Sequence, residues 1–308
     1  MKYILLKNKN ILITGVSGFV GRHLEKRLID EGAHVYGISK SATGKSHIKG
    51  NITEYGFLKH VFQRKKIDIC YHLAAESLVE EGQEYPYQTF RSNLLGSLNV
   101  LEIARTCKVE KIIIASTSHV YGDRKAPFYE KYSPRPSRPY ETSKTCVDLI
   151  AQSYANTFSL PVLIPRFVNI YGPGDMNFSR LIPKTIKSIL SGMSPKMWGG
   201  DVVRQYLYID DAINAYLDLT TIDITTVGKN RIFNFGSPDK ISVKELMQRI
   251  INLSGSSVAI ETVRDKRELE IKFQYVSWYK ARKLLQWSPK ITLDKGLEKT
   301  FNWYKENA

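Results

Sequence analysis

Two patterns of apolar and polar positions alternate along the first half of the chain. Short continuous apolar runs are typical of strands buried on both faces of a parallel sheet, and segments with apolar residues at helical spacing would cover those faces. The predicted strands are residues 11–13, 34–38, 67–74, 111–116 and 161–167. The predicted helices are one that carries Val20, Leu24 and Leu28 and ends at Gly32, and those over residues 54–66, 86–107 and 140–158. The pattern predicts an α/β fold with a doubly wound parallel sheet.

The second half of the chain has fewer strands and longer loops. Helices are predicted over residues 178–190, 210–220, 243–253, 277–286 and 294–302, and strands over residues 205–209 and 231–235. We expect residues 1–168, with a returning segment near residues 205–235, to form the first domain. Residues 169–204 and 236–308 would form a smaller, interleaved C-terminal lobe that binds substrate.

Three glycines follow the first predicted strand and open the first helix. Gly15, Gly18 and Gly21 have the spacing G-x-x-G-x-x-G. A strand, a glycine turn and a helix place backbone N–H groups and a helix N-terminus against a pyrophosphate, as in Rossmann domains that bind dinucleotides. An ordinary strand-to-helix turn is the alternative. The residues predicted to bind a cofactor in this turn are Gly15, Ser17, Gly18, Phe19, Val20 and Gly21.

Two further segments run off the ends of predicted strands, at the edge of a parallel sheet where ligands bind. The end of the third strand would let a cofactor lie across the edge, although close packing explains its small residues equally well. These residues are Leu73, Ala74 and Ala75. Thr117, Ser118 and His119 follow the fourth strand and offer hydroxyls and an imidazole to the same cleft, with a polar turn as the alternative.

Tyr140 and Lys144 are four residues apart in a predicted helix and therefore share one of its faces. An ammonium group beside a phenol stabilises the phenolate, which would lower the tyrosine pKa from about 10 toward the working pH. Such a tyrosine can remove the proton of a hydroxyl group as a general base. The spacing is common by itself, and it gains weight because it follows the other segments in order along the chain.

Together these motifs resemble the extended short-chain dehydrogenase/reductase family, the NAD(P)-dependent epimerases and dehydratases, over nearly the whole chain. The matching segments are TGVSGFVG (14–21), HLAA (72–75), STSHVYG (116–122), YETSK (140–144), RFVNIYGPGD (166–175) and RQYLYIDDAINAY (204–216). Residues 174–190 and 270–287 look most like CDP-glucose 4,6-dehydratases and their relatives, and Ser118 resembles the GDP-mannose 4,6-dehydratases. The resemblance implies a Rossmann fold and a nucleoside-diphosphate sugar as substrate.

The resemblance also implies a catalytic set and a reaction. Thr117 would hydrogen-bond the sugar O4, Tyr140 would take its proton, and Lys144 would hold the nicotinamide ribose. Hydride transfer from C4 would give a 4-ketone. A 4,6-dehydratase then eliminates the 6-hydroxyl and returns the hydride to C6.

The residues at positions 118 and 119 depart from the dehydratase pattern. Dehydratases usually have Glu where this chain has His119, or Lys in the CDP-glucose branch, and often Asp where it has Ser118. An imidazole with a pKa of about 6.5 can act as acid or base near neutrality, so both residues stay among the catalytic candidates. If His119 only lines the wall, a 4-epimerase or an NADPH-dependent 4-keto reductase fits, since those reactions need only the tyrosine, lysine and hydroxyl groups.

The residues after the second strand bear on the choice of cofactor. NAD enzymes usually carry an acidic residue there, whereas this chain has Ser39, Lys40 and Ser41. A nearby cation suits a 2′-phosphate, which favours NADP, with NAD as the second choice because of the CDP-glucose resemblance. Asn51 and Ile52 stand where the family contacts the adenine.

The substrate-binding candidates lie after the third strand and in the second lobe. They are Glu76, Ser77, Asn169, Asn177, Phe178, Arg204 and Arg267. Arg204 matches a family arginine near the nucleotide ribose and phosphates, and a guanidinium suits both. The resemblance further implies a homodimer that pairs through the helices near residues 86–107 and 141–159.

The amino-acid composition narrows the classes of function that the chain could have. The net charge of +15 comes from scattered basic residues, which is typical of a solvated surface and does not predict nucleic-acid binding. Three widely spaced cysteines suggest reduced thiols in a cytoplasmic protein. No apolar run approaches the roughly 20 residues of a membrane span, and no histidine or cysteine spacing predicts a metal site.

Overall fold

A parallel sheet forms the centre of the structure, a computed structural model that describes residues 3–41, 44–198, 201–263 and 270–307. The strands are β1 (Asn10–Thr14), β2 (His34–Ser39), β3 (His47–Lys49), β4 (Ile69–His72), β5 (Lys111–Ile114), β6 (Ser116–Thr117), β7 (Val162–Phe167), β8 (Asn169–Tyr171), β9 (Lys196–Met197), β10 (Val203–Arg204), β11 (Tyr206–Tyr208), β12 (Ile232–Phe235), β13 (Ile241–Ser242), β14 (Glu261–Thr262) and β15 (Phe273–Gln274).

Helices cover both faces of this sheet and build most of the second lobe. They are α1 (Phe19–Asp30), α2 (Tyr55–Lys65), α3 (Val79–Glu84), α4 (Pro86–Phe90), α5 (Gly96–Thr106), α6 (Pro139–Phe158), α7 (Leu181–Leu190), α8 (Ile209–Thr221), α9 (Ile224–Val227), α10 (Val243–Ser254), α11 (Tyr279–Leu285) and α12 (Leu293–Asn307). Short 3-10 helices span Ile4–Leu6 and Ser118–Tyr121, and a π-helical segment spans Arg91–Leu95.

The strand order of the main sheet is β3-β2-β1-β4-β5-β7-β12, and β6 continues the pairing with β7. Each neighbouring pair in this order is parallel. The chain therefore winds outward in both directions from β1 and β4, and the crevice at this switch point is where ligands bind in such sheets. The predicted doubly wound α/β fold is confirmed.

Alternate residues of β1 explain why helices pack on both sides of the sheet. Ile11 and Ile13 join a core with Leu24 of α1 and the buried face of α8. Leu12 points to the opposite face and packs in a second core with residues of α2, α5 and α6, such as Phe62. The middle of β1, residues 11–13, is thus continuously apolar because both faces of the strand are covered.

The second lobe is interleaved with the sheet. Its strands form the pairs β8–β11 and β9–β14 and the order β13-β10-β15, and α7 packs against α10 and α12. The chain returns to the first domain twice, because α8 packs on α1 and β12 pairs with β7. The segment near residues 205–235 therefore supplies both a helix and the edge strand of the main sheet.

Several elements differ from the pattern-based predictions, and the short elements α3, α9, β8, β9, β10, β13, β14 and β15 were not predicted. The short edge strand β3 was not predicted, and α7 begins at Leu181 instead of residue 178. The helix predicted over residues 86–107 runs from Pro86 to Thr106 but widens into the π-helical segment Arg91–Leu95.

Candidate active site

A cleft of about 680 Å³ opens at the carboxyl ends of β1, β2, β4 and β6, with α7 and β10 of the second lobe on its other side. The predicted cofactor residues all line it. They are Gly15, Ser17, Gly18, Phe19, Val20, Gly21, Ser39, Lys40, Asn51, Ile52, Leu73, Ala74, Ala75, Tyr140 and Lys144. The fold therefore brings together residues that are spread over 130 positions of the sequence.

The glycine turn has the shape that a dinucleotide requires. Gly15 has φ of +79°, and a Cβ there would lie 2.8 Å from the backbone nitrogen of Ala74. A Cβ on Gly21 would overlap the carbonyl oxygen of Gly15. Gly18 is the N-cap of α1 and offers no side chain to the first N–H groups of the helix. Such N–H groups can bind a phosphate. The residues present fit a dinucleotide cofactor.

A buried histidine fixes the neighbouring turn. His72 Nδ1 lies 2.7 Å from the Thr14 hydroxyl, and its Nε2 lies 2.8 Å from the Ser97 hydroxyl. Burial, with a smaller contribution from the charge of Lys144, lowers the pKa of His72 to about 3, so the ring is neutral. Thr14 in turn accepts a hydrogen bond from the backbone of Ala74. His72 thus holds the ends of β1 and β4 together beneath the cleft.

Tyr140 and Lys144 lie in the first two turns of α6, and both are buried at the cleft. The Thr117 hydroxyl hydrogen-bonds the Tyr140 phenol, and burial still raises the pKa of Tyr140 to about 12. The expected lowering of this pKa by Lys144 is therefore wrong for this arrangement. Burial also lowers the pKa of Lys144 to about 8, although the charge of Asp148 opposes that shift.

Asn93 joins α6 to the loop that follows β4, and the sequence patterns did not single it out. Its amide nitrogen donates to the hydroxyl of Ser143 and to the carbonyl of Glu76, and its Oδ1 accepts from the backbone nitrogen of Glu76. Ser143 also donates to the carbonyl of Tyr140. Asn93 is the buried residue of the π-helical segment, and it lies on one helix face with the buried polar residues Thr89 and Ser97.

His119 lines the cleft beside Tyr140, with 6.1 Å between the two ring centroids. Its Nδ1 lies 3.5 Å from Oε1 of Glu141, which is fully buried. Arg138 donates to the same carboxylate oxygen from Nη2 at 2.6 Å. Glu141 and Arg138 were not predicted as site residues.

Ser118 does not face the cleft. Its side chain is buried, and its hydroxyl accepts a long hydrogen bond from the amide of Gln274 at 3.4 Å. The 3-10 turn that begins at Ser118 directs it away from its neighbours Thr117 and His119. The prediction of a catalytic hydroxyl at this position is not supported by this orientation.

Lys40 and Glu76 contact each other across the cleft. The Lys40 Nζ lies 2.7 Å from Oε1 of Glu76. The Ser39 hydroxyl donates to the backbone carbonyl of Ser41. Lys40 is thus at the end of β2, where a 2′-phosphate would bind, but it already has an anionic partner.

The predicted substrate residues fall into two groups. Those on the cleft are Glu76, Ser77, Asn169 and Arg204. Asn177 and Phe178 lie outside the cleft lining, because Asn177 caps a local turn and Phe178 packs toward Tyr304. Arg267 lies outside the described residues. Arg180, Lys184 and Trp198 line the second-lobe side and were not predicted.

The glycine turn and the Tyr140–Lys144 pair fall within a single family match. A family model described as the NAD dependent epimerase/dehydratase family matches residues 11–236. The chain belongs to this family. The match confirms the resemblance found in the motifs, and the protein is an enzyme of the extended short-chain dehydrogenase/reductase kind.

Epimerases and dehydratases of this family are both similar to the chain. UDP-glucuronate 4-epimerase of Thermodesulfobacterium geofontis is 30% identical over 319 residues, covering 96% of this chain and 96% of that protein. Human dTDP-D-glucose 4,6-dehydratase is 28% identical over 329 residues, covering 97% and 91%. The structure of UDP-glucuronic acid 4-epimerase from Bacillus cereus, in complex with UDP-glucuronic acid and NAD, superposes with a TM-score of 0.88 at 26% identity, covering 97% of this chain and 100% of that one.

In the described residues, no group of three or more histidine, cysteine, aspartate or glutamate side chains is placed to hold a metal ion. None of the helices in the described part of the chain is long and apolar enough to cross a membrane.

Proposed function

We propose that the protein is a nucleoside-diphosphate-sugar 4,6-dehydratase. The observation that carries the proposal is His119, an imidazole that lines the cleft next to Tyr140 and contacts a buried carboxylate. Oxidation at C4 requires only a base for the hydroxyl proton, whereas elimination requires a second acid/base group beside it. In this proposal His119 is that second group.

The first step uses Thr117, Tyr140 and Lys144. Thr117 would hydrogen-bond the sugar O4, Tyr140 would remove its proton, and Lys144 would hold the nicotinamide ribose. The glycine turn, Ser39 and Lys40, Asn51 and Ile52, and residues 73–75 would hold the rest of the cofactor. The chemistry supplied by a bound nicotinamide is removal of hydride from C4 of the sugar and its return at C6.

The elimination step would run through His119 alone, because Ser118 does not face the cleft. The 4-ketone acidifies the proton at C5, and His119 would take that proton. It would then pass the proton to the 6-hydroxyl, which leaves as water while the C5–C6 double bond forms. At the end of the cycle one proton is added back to C5. The count of protons closes because Tyr140 then releases the proton that it took from O4.

A 4-epimerase is the second candidate, and a specific finding favours it. The UDP-glucuronate 4-epimerase is as similar to the chain as the dehydratase is, and epimerisation uses the same threonine, tyrosine and lysine. A 4-keto reductase that consumes NADPH would use the same three residues. In both cases His119 would only shape the wall of the sugar pocket.

For the cofactor we place NADP ahead of NAD. Residues 39–41 offer no carboxylate to a ribose 2′-hydroxyl, and Lys40 offers a cation. The NAD in the B. cereus epimerase structure argues for the other cofactor. Titration of the protein with each dinucleotide, followed by calorimetry, decides between them: a lower Kd for NAD would reverse the order.

We further propose a homodimer in the reducing cytoplasm. The three cysteines are free thiols in the structure, which suits a reducing compartment. α5 and α6 pack together and carry exposed apolar side chains on their outer faces, including Leu98 and Leu149. A second copy of the chain would cover them.

The deciding experiment is incubation of the enzyme with UDP-, dTDP-, CDP- and GDP-hexoses, followed by mass measurement of the products. Loss of one water supports the dehydratase. An unchanged mass with inverted C4 stereochemistry would establish the epimerase instead, and a gain of two hydrogens on a 4-keto sugar with NADPH would establish the reductase.

The role of His119 has its own test. His119→Ala should lose water elimination by about 100-fold or more while C4 oxidation still occurs. The matched control is His60→Ala on the exposed surface of α2. Equal elimination by His119→Ala and the wild type would show that His119 is not the acid/base.

A further inference from the structure

One ring nitrogen of His119 is turned away from solvent. Nδ1 is buried and, within the described residues, has no hydrogen-bond partner at normal geometry. The side chain as a whole is 21% exposed, so its exposed part is the opposite edge of the ring, on the cleft. A buried polar atom is costly unless a partner compensates it, and that partner decides which nitrogen carries the proton.

The group that faces this nitrogen is the carboxylate of Glu141, 3.5 Å away. Burial acts to raise the pKa of Glu141, but hydrogen bonds and charges from His119, Arg138 and Ser137 outweigh it and lower this pKa to about 2. The carboxylate is therefore ionised at neutral pH and can only accept a proton donor. Contacts of this kind are often long before substrate binds and shorten in the reacting complex.

We propose that Glu141 is a positioning residue for His119. It holds the neutral ring as the Nδ1–H tautomer, so that Nε2 presents its lone pair to the cleft. After Nε2 takes a proton, the carboxylate stabilises the imidazolium that forms, as in other carboxylate–histidine pairs. The catalytic meaning of this pair rests on the proposed elimination, whereas the tautomer is a property of the folded protein alone.

A purely structural role for Glu141 is the competing explanation. Glu141 is the N3 residue of α6, and its Oε2 accepts from the backbone nitrogens of Ser137 and Arg138 at 3.1 and 3.3 Å. Glutamine can form the same capping box, so Glu141→Gln keeps the cap and removes the charge next to His119. The variant therefore separates the two roles.

The first measurement needs no substrate. Nitrogen NMR of histidine-labelled wild-type protein, with His119 assigned by comparison with His119→Ala, should show the Nδ1–H tautomer. Glu141→Gln should shift the ring toward Nε2–H, because the amide can donate to Nδ1. The Nε2–H tautomer in the wild type, or an unchanged tautomer in Glu141→Gln, would overturn the proposal.

The second measurement is a double-mutant cycle on water elimination. Glu141→Gln alone should slow elimination by about 100-fold or more, and it should cost less than twofold in a His119→Ala background. The Ser137 hydroxyl also donates to Oε2 of Glu141 at 3.1 Å. Ser137→Ala, which removes this hydroxyl but keeps the backbone donor and the charge, should match the wild type in tautomer and rate. Equal losses from Glu141→Gln in both backgrounds would assign it a structural role.

The two proposals fail in different ways. If the wild type eliminates no water from any nucleotide sugar, the dehydratase function is wrong, and the tautomer measurement still tests the pair. If water is eliminated but His119 of the wild type is the Nε2–H tautomer, the dehydratase function is supported and the proposed role of Glu141 is wrong.

Discussion

Tyr140 and Lys144 show how one environment moves two pKa values in opposite directions. Desolvation disfavours the charged form of each group, which is the anion of the phenol and the cation of the amine. Burial accordingly raises the pKa of Tyr140 to about 12 and lowers that of Lys144 to about 8. In the folded protein the phenol is therefore protonated at neutral pH.

Tyr140→Phe should lower the turnover rate about 10³-fold, because the phenol is the group proposed to take the O4 proton. Its melting temperature and its dinucleotide affinity should stay close to those of the wild type, since the ring itself is retained. The matched control is Tyr154→Phe on the same helix, where the hydroxyl bonds Glu102 away from the cleft. Turnover by Tyr140→Phe at the level of this control would contradict the assignment.

Lys144→Met should make the folded protein more stable at pH 7. The pKa of Lys144 falls from 10.5 unfolded to about 8 folded, so the unfolded chain binds more protons between these values. The cost of burying the charge, on the order of 3 kcal/mol, is complete below pH 8 and disappears as the pH rises toward 10.5.

Urea unfolding at pH 7, 8.5 and 10 measures this difference directly. The advantage of Lys144→Met over the wild type should shrink steadily across the three values, while exposed Lys59→Met shows no such trend. If the advantage of Lys144→Met grew with pH, the folded protein would stabilise the charged form of Lys144, and the predicted lowering of its pKa would be wrong.

The sequence predicted correctly that some side chains face the cleft, and it failed where a local turn or the tertiary fold decides the orientation of a side chain. Thr117 and His119 face the cleft as predicted, but Ser118 between them points toward Gln274 because a 3-10 turn begins there. Asn93 could not be assigned in advance, since its three hydrogen bonds join segments that only the fold brings together. Glu141 was not predicted as a site residue, because a glutamate at the N3 position of a helix is explained by the capping box alone.

At the scale of elements, the glycine turn determines how closely α1 approaches β1. Gly21→Ala would place a Cβ against the carbonyl oxygen of Gly15, a backbone atom that cannot move aside. We expect a loss of about 1–3 kcal/mol in unfolding free energy and at least about tenfold in dinucleotide affinity. Thermal melts and calorimetric titration measure the two effects.

Gly56→Ala in α2 is the matched control for this substitution. Nothing lies within 4 Å of the added Cβ, so alanine should stabilise the helix by about 0.5–1 kcal/mol. If Gly21→Ala behaves like this control, the close contact at the turn does not constrain α1.

Elements with a clear apolar pattern were predictable from the sequence, and elements without one were not. α6 repeats its pattern over 20 residues, and β1 and β12 contain short apolar runs. The strand β3 has three residues and is held by backbone pairing with β2, which leaves no periodic signal. The site could be located from strand ends and motifs, but the second-lobe side, with Arg180, Lys184 and Trp198, depends on how α7 folds over the cleft.

At the scale of the whole molecule, α5 and α6 carry exposed apolar side chains on their outer faces. α5 and α6 contact each other through Tyr154 with Glu102 and through Arg105 with Phe158. Outside these contacts, Leu98 and Leu149 are 39% and 51% exposed. In the proposed dimer these exposed apolar side chains on adjacent helices would form the interface, because a twofold axis would bring the face against its own copy.

The double substitution Leu98→Glu with Leu149→Glu should convert the proposed dimer into a monomer. Buried in the interface, two carboxylates on each copy would lose hydration without gaining partners, which should weaken association by at least about 100-fold. Folding should be unaffected, because both positions are exposed in the single chain. Ile29→Glu, at an equally exposed position of α1, should remain a dimer. Sedimentation equilibrium measures the mass of each protein, and a monomeric wild type, or a double variant as dimeric as Ile29→Glu, would remove this face from the assembly.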